Sequence, residues 1–268
     1  MPELPEVETV VRTLEHQISG RMITDVTVRY EKTVIGDPET FRKQLIHQHF
    51  RTFARRGKYL LFYLDDILLC VHLRMEGKFW LQKPQEPLNR HMHVLIDLDD
   101  GMQLRYHDTR KFGRMEILPL DTDLRTFHEL GPEPSSEEFS RAYVHAYRIR
   151  HDMPLKSLLL DQRFVAGIGN IYADEILAAC NLRPGRSCQR ITAKDEENLV
   201  QETRRILKAA IAAGGTTIRS YTSSLGITGL FQTECTVHMM KTCARCGSDI
   251  HMKRIGGRSS YYCPHCQK

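Results

Sequence analysis

The chain has 268 residues, is 41% hydrophobic and 26% charged, and carries a formal net charge of +5. That is the make-up of an ordinary globular protein with one large domain or two medium ones. No apolar run approaches the roughly 18 residues that a membrane helix needs, and from the acidic start Met1-Pro-Glu-Leu-Pro-Glu-Val-Glu8 no secretory signal is expected, so a cytoplasmic location is expected.

In chain order, the first predicted element is a helix over residues 5–19, because Val7, Val11, Leu14 and Ile18 recur at helical spacing with Val10 alongside. Pro5 suits its first turn and Gly20 its stop. From about residue 22 to 120 the pattern is that of strands, at 22–30, 58–64, 67–72, 92–98 and 102–106. Turn signals such as Asp65-Asp66 and Asp99-Asp100-Gly101 separate them, which predicts an antiparallel sandwich or barrel. Gly131-Pro-Glu-Pro-Ser-Ser136 reads as a linker. Helices are then expected over 155–162, 170–179 and 192–213, the last opened by Thr192 with Asp195 three residues on and ended by Gly214-Gly215.

The last stretch, from residue 232, holds short strands and two Cys-x-x-Cys pairs, Cys243/Cys246 and Cys263/Cys266, with sixteen residues between them. In a cytosolic chain this spacing points to metal and not to disulfides. Two such knuckles complete a tetrahedral four-thiolate site, so one structural Zn2+ is expected. His265, between two ligands, is expected to be exposed. Residues 241–268 also carry six cationic side chains against Asp249 alone, the whole net +5 of the chain. A contact with a polyanion and a solvated basic tail both fit that distribution. Lys253-Arg254 and Gly256-Gly257-Arg258 fall between the knuckles, where a turn can present Arg258 to a phosphate.

The N-terminus has chemistry of its own. Removal of the initiator methionine would expose Pro2 as a secondary amine, whose pKa near about 8 is lowered further by the positive end of the following helix. A neutral secondary amine that attacks a sugar C1′ gives a cationic iminium, an electron sink that acidifies the C2′ proton and permits β-elimination. Glu3 and Glu6, three apart, lie on one side of the first turn, where one can act as general acid and the other as a positioning group. Glutamates also suit a first turn simply because they complement the helix dipole.

These segments, with His72-Leu-Arg-Met-Glu-Gly-Lys78, Asp108-Thr-Arg-Lys-Phe-Gly113, Gly167-Ile-Gly-Asn-Ile-Tyr-Ala-Asp-Glu175 and Gly214-Gly-Thr-Thr-Ile-Arg-Ser-Tyr221, resemble formamidopyrimidine-DNA glycosylase, in the family's order and over nearly the whole chain. The resemblance implies an α+β fold of two domains. Residues 1–130 would be an antiparallel β-sandwich with an N-terminal helix, 131–150 a linker, 151–231 a helix–two-turn–helix domain and 232–268 a zinc finger, with DNA in the cleft between the domains. It implies a monomeric glycosylase and lyase of base excision repair. Such an enzyme removes oxidised purines from double-stranded DNA, or cuts at abasic sites, through a proline iminium followed by β- and δ-elimination, and would be cytoplasmic and associated with the nucleoid.

Carried over residue by residue, Pro2 matches the nucleophile, Glu3 the proton donor, Glu6 a supporting carboxylate, and Lys58 a lysine that contacts a phosphate and assists the chemistry. Met75, Arg110 and Phe112 match side chains that fill the hole left by an everted base. His72, Asn170 and Arg258 match contacts to the DNA backbone, Arg258 also at the catalytic site, and Lys156 a DNA-binding lysine near the lesion. Thr217, Ile218, Arg219, Ser220 and Tyr221 match a loop that closes over the lesion. The chain departs from the family pattern at Val237-His-Met-Met-Lys-Thr-Cys243, which is shorter and lacks a tyrosine; Met239 and Met240 are candidates for a packed replacement. The competing readings are an endonuclease VIII-like enzyme acting on oxidised pyrimidines and a non-catalytic DNA-binding paralogue.

Overall fold

The computed structural model describes residues 1–216 and 234–268. They group into two compact units. The first is Met1–Asp123 with the stretch that begins at Gly214, and the second is Leu124–Ala213 with the chain's C-terminal stretch.

The first unit opens with α1 (Leu4–Ile18), which turns Val7, Val10, Val11, Leu14 and Ile18 into the core and ends before Gly20, whose φ of +77° suits only glycine cheaply. Eight strands follow: β1 (Ile23–Val28), β2 (Thr52–Arg56), β3 (Tyr59–Tyr63), β4 (Ile67–His72), β5 (Lys78–Gln82), β6 (Met92–Leu98), β7 (Gln103–His107) and β8 (Arg114–Pro119). They form two antiparallel four-stranded sheets, ordered β1-β6-β7-β5 and β2-β3-β4-β8. Alternate residues from both, such as Val94, Ile96 and Leu98 of β6 and Leu69 and Val71 of β4, share one core. The sequence pattern misses β2, β5 and β8. All three are edge strands with polar side chains at half-open positions, so no continuous apolar run marks them. It also misses α2 (Pro38–Leu45), which buries only Phe41 and Leu45 and is capped by Asp37 accepting from the Thr40 amide at 2.7 Å.

The second unit holds α3 (Arg141–Arg148), α4 (Leu155–Leu160), α5 (Asn170–Ala179), α6 (Ala193–Ala212) and the hairpin β9 (His251–Ile255)–β10 (Arg258–Tyr262). The capping box expected at α6 is present, with Thr192 N donating to Asp195 Oδ2 at 2.8 Å and Asp195 N to Thr192 Oγ1 at 3.2 Å. The stretch expected as a linker is not a free tether. The Gly131 amide bonds Gln162 O at 2.8 Å, and the Arg204 guanidinium donates to the carbonyls of Pro134, Ser136 and Phe139 at 3.1, 2.7 and 3.0 Å. Three carbonyls bound by one arginine fix this segment onto the helical unit. No helix among the described residues is long and apolar enough to cross a membrane.

Candidate active site and metal centre

The N-terminal cluster is built by the first turn of α1. Pro2, Glu3 and Glu6 are buried. Glu6 Oε2 accepts the Glu3 amide at 2.8 Å, while its Oε1 accepts the amide and hydroxyl of Thr216 at 2.8 and 3.0 Å. The glutamates thus divide their work, with Glu6 committed to holding the backbone beside Glu3. Gly214 and Gly215, with φ of +76° and +81°, turn the chain so that Thr216 reaches Glu6, and a β-carbon on Gly215 would stand 2.8 Å from Glu6 Oε1. Lys58 is buried at the β2–β3 turn, where Gly57 has φ +56°; Arg55 braces the turn from Gly57 O at 3.0 Å and from Glu8 of α1 at 3.1 Å. Burial holds the terminal amine of Met1 below its ordinary value. Glu3, Glu6 and Glu76 pull it upward and Lys58 adds to the depression, so these four charges lie within electrostatic reach of the chain terminus. His72, at the end of β4, is buried edge-on against Tyr59 at 4.5 Å and accepts the Arg74 amide on Nδ1 at 2.9 Å.

Two loops present the three side chains expected to fill a hole in the duplex. Met75 is half-buried on the loop after β4. Arg110 and Phe112 are exposed on the loop after β7, Phe112 by 48%, and the Arg110 guanidinium lies 5.0 Å from the ring centre. Phe112 is therefore not a core residue. The second loop is organised by Asp108, a buried carboxylate whose Oδ1 accepts the Arg110 amide at 2.9 Å and whose Oδ2 accepts those of Phe112 and Gly113 at 2.9 and 2.8 Å. Sequence reasoning assigned Asp108 no role. An Asp before a short polar run is the signature of a side chain capping its own turn, and that signal was available.

In the second unit, Asn170 opens α5 after the Gly167-Ile-Gly169 turn. Its Nδ2 donates to Ser259 O at 3.1 Å, which sets it beside Arg258 at the start of β10. A β-carbon on Gly256 would stand 2.8 Å from Ser157 Oγ, so the hairpin tip closes on α4 as well. Arg258 is exposed. Lys156 is placed otherwise than expected. It is fully buried, with Nζ 2.6 Å from Asp174 Oδ1 and 2.7 Å from Asn170 O, so in this structure it supports the start of α5 from inside. Thr217, Ile218, Arg219, Ser220 and Tyr221 lie outside the described residues.

The four cysteine sulfurs lie within 4.8 Å of one another, with Cys243–Cys266 at 3.9 Å and Cys246–Cys263 at 3.5 Å. Zinc–sulfur bonds of about 2.3 Å in a tetrahedron place sulfurs about 3.8 Å apart, so the donor set and its spacing fit one structural Zn2+. Hydrogen bonds at Ser248 pull the Cys246 thiol down to about 6, which favours the thiolate form. His265 is exposed and stands outside the cluster.

The segment that departs from the expected pattern is seated by carboxylates. Glu175 accepts the amide and hydroxyl of Thr236, both at 2.7 Å, and the amides of Val237 and His238 at 3.1 and 2.8 Å; His238 Nδ1 lies 2.7 Å from Asp174 Oδ2. Met239 and Met240, expected as packed replacements, are 74% and 43% exposed, and the buried apolar side chain of this segment is Val237, at 1% exposure.

Family models match along the chain: the formamidopyrimidine-DNA glycosylase N-terminal domain over residues 1–115, its H2TH domain over 130–222, and the zinc finger found in FPG and IleRS over 241–268. The formamidopyrimidine-DNA glycosylase of Streptococcus pneumoniae R6 is 43% identical over 272 residues, covering 100% of this chain and 99% of its own length. That of Bacillus subtilis 168 is 40% identical over 273 residues, covering 100% and 99%. Among solved structures, the Lactococcus lactis Fpg complex with N7-benzyl-Fapy-dG DNA superposes with a TM-score of 0.93 at 38% identity, covering 100% of both chains. The Lactococcus lactis Fpg complex with abasic-site DNA gives 0.93 at 38% identity, covering 99% of both.

Proposed function

The chain belongs to the formamidopyrimidine-DNA glycosylase family, and on that basis we propose that it works on double-stranded DNA through Pro2 as nucleophile, once Met1 has been removed. It is a DNA glycosylase of base excision repair, in a family with lyase activity at abasic sites. The observation that carries the assignment of Pro2 is the buried cluster at the N-terminus, where Glu3 is held by Glu6 and the Lys58 cation lies within reach of the terminal amine.

The substrate class is an oxidised purine, 8-oxoguanine or a formamidopyrimidine, in duplex DNA, or the abasic site left by its loss. The neutral Pro2 nitrogen bonds to C1′, the glycosidic bond breaks, and the base leaves with a proton. Glu3 protonates the opening sugar oxygen, and the iminium forms without loss of a second nitrogen proton. Loss of a C2′ proton then breaks the C3′–O bond and releases the 3′ phosphate; loss of the C4′ proton sends a second electron pair through the conjugated iminium and breaks the C5′–O bond, expelling the 5′ phosphate, and water returns Pro2 as the free amine. Glu6 positions Glu3 and Thr216, and Lys58 neutralises a leaving phosphate. Met75, Arg110 and Phe112 fill the space of the everted base, His72, Asn170 and Arg258 meet the backbone, and residues 217–221 close on the lesion. Lys156 acts through Asn170. The enzyme is a monomer of the cytoplasm, nucleoid-associated through DNA.

The test is borohydride trapping on duplexes carrying 8-oxoguanine or thymine glycol, with protein of N-terminus verified by mass spectrometry. A covalent adduct is expected on the 8-oxoguanine duplex with Pro2 exposed, and none with Met1 retained or with Pro2→Gly. Full trapping with Met1 in place would overturn the mechanism. Preferential trapping on thymine glycol would instead assign the pyrimidine branch.

A further inference from the structure

The two loops bearing Met75 and Arg110/Phe112 both cross from one sheet to the other, from β4 to β5 and from β7 to β8. Because β5 pairs with β7 and β4 with β8, with Lys78 opposite His107 and His72 opposite Arg114, the crossings run side by side. Tyr106 stands between them. It is 1% exposed, packed on the Phe79 ring at 5.3 Å. Its hydroxyl fills the space that a side chain at Gly77, in the first loop, or at Gly113, in the second, would need. The same hydroxyl is 3.5 Å from Asp108 Oδ2, the oxygen that accepts the Phe112 and Gly113 amides. On the outer side Thr109 Oγ1 donates to the Glu76 carboxylate, a second tie between the loops. Each loop also holds one non-glycine residue in the left-handed region, Arg74 at φ +55° and Lys111 at φ +60°, which surrounding contacts must enforce.

We propose that Tyr106 is a positioning residue that clasps the two loops into one wedge, so that Met75 and the Arg110/Phe112 pair enter the duplex as a unit. The physical reason is pre-organisation: a loop left to order itself during insertion would charge that entropy to base eversion. The proposal rests on the wedge role given above to Met75, Arg110 and Phe112.

The experiment measures single-turnover excision of 8-oxoguanine from a duplex and cleavage of a duplex with a pre-formed abasic site, with 2-aminopurine beside the lesion to report unstacking. Met75→Ala, Phe112→Ala and the pair are made in the parent and in Tyr106→Phe. Tyr106→Phe should slow excision by about fivefold, the effect of one lost hydrogen bond, lower the 2-aminopurine signal, leave abasic-site cleavage unchanged, and lower the melting point by no more than the few degrees that one hydrogen bond accounts for. The two alanine changes should be non-additive in the parent and additive in Tyr106→Phe. Thr109→Val, on the surface where it cannot unfold the sandwich, should slow excision in the same direction.

If the alanine changes slow excision selectively but Tyr106→Phe alters neither excision nor their coupling, the clasp is refuted and the wedge stands. Alanine variants that affect both substrates equally would reject the wedge and the clasp together. Equal loss on both substrates in Tyr106→Phe, with a melting point lowered beyond those few degrees, would reduce Tyr106 to packing and overturn the proposal.

Discussion

Replacing Lys156 by methionine separates two roles for a lysine whose sequence context points to DNA. Its side chain and that of Asp174 are both 0% exposed, 2.6 Å apart. Lys156→Met leaves the Asp174 carboxylate buried against His238 Nδ1 at 2.7 Å, and takes a donor from Asn170 O. Breaking a buried pair from one side costs about 3–5 kcal/mol, most of it the uncompensated charge. For a unit of this size that is roughly 10 °C or more in the melting point. The double variant Lys156→Met/Asp174→Asn should recover part of the loss, since it removes both charges and keeps an acceptor for His238. Melting curves of the three variants, with DNA affinity against salt, decide the matter. A surface contact to one phosphate would instead leave the melting point alone and reduce the salt slope by about 0.9. That second pattern would refute the buried-support role.

Phe112→Ala should slow single-turnover excision of 8-oxoguanine about tenfold, with the eversion cost of a few kcal/mol as the ceiling, and spare abasic-site cleavage. Because Phe112 is 48% exposed, its loss should lower stability by well under the roughly 3–5 kcal/mol of a core phenylalanine; a core-sized loss with both activities reduced would remove it from the site. Metal analysis should find one zinc per chain, and chelation should weaken DNA binding while the melting of the sandwich is retained, since the metal supplies folding energy to the finger alone; simultaneous melting of the sandwich would contradict this. The rate of adduct trapping should rise with pH and level off below pH 8. Burial at this end of the chain holds the Met1 amine below its ordinary 8.0, and the same burial around Pro2 should disfavour the cationic form of its nitrogen once Met1 is gone, so the neutral nucleophile survives to lower pH and activity is lost on acidification. A midpoint at or above 8.0 would contradict the buried environment.

The residues by themselves determined the features that depend on local spacing. The period of Val7, Val11, Leu14 and Ile18 marks α1, the Thr192–Asp195 box marks the start of α6, and two Cys-x-x-Cys knuckles mark a four-thiolate metal site, because each signal is contained within a turn or two of chain. The candidate nucleophile and its two glutamates were legible for the same reason, lying within the five residues from Pro2 to Glu6. What only the tertiary structure decided is how distant polar groups are spent. Glu6 is committed to Thr216, Lys156 to Asp174, and Glu175 to the segment leading into the finger. None of these pairings has a sequence period. Each arises because a polar group enclosed by a folded core must find its partner wherever the packing brings one, and that partner is chosen by the sheets and helices as they close and not by neighbours along the chain.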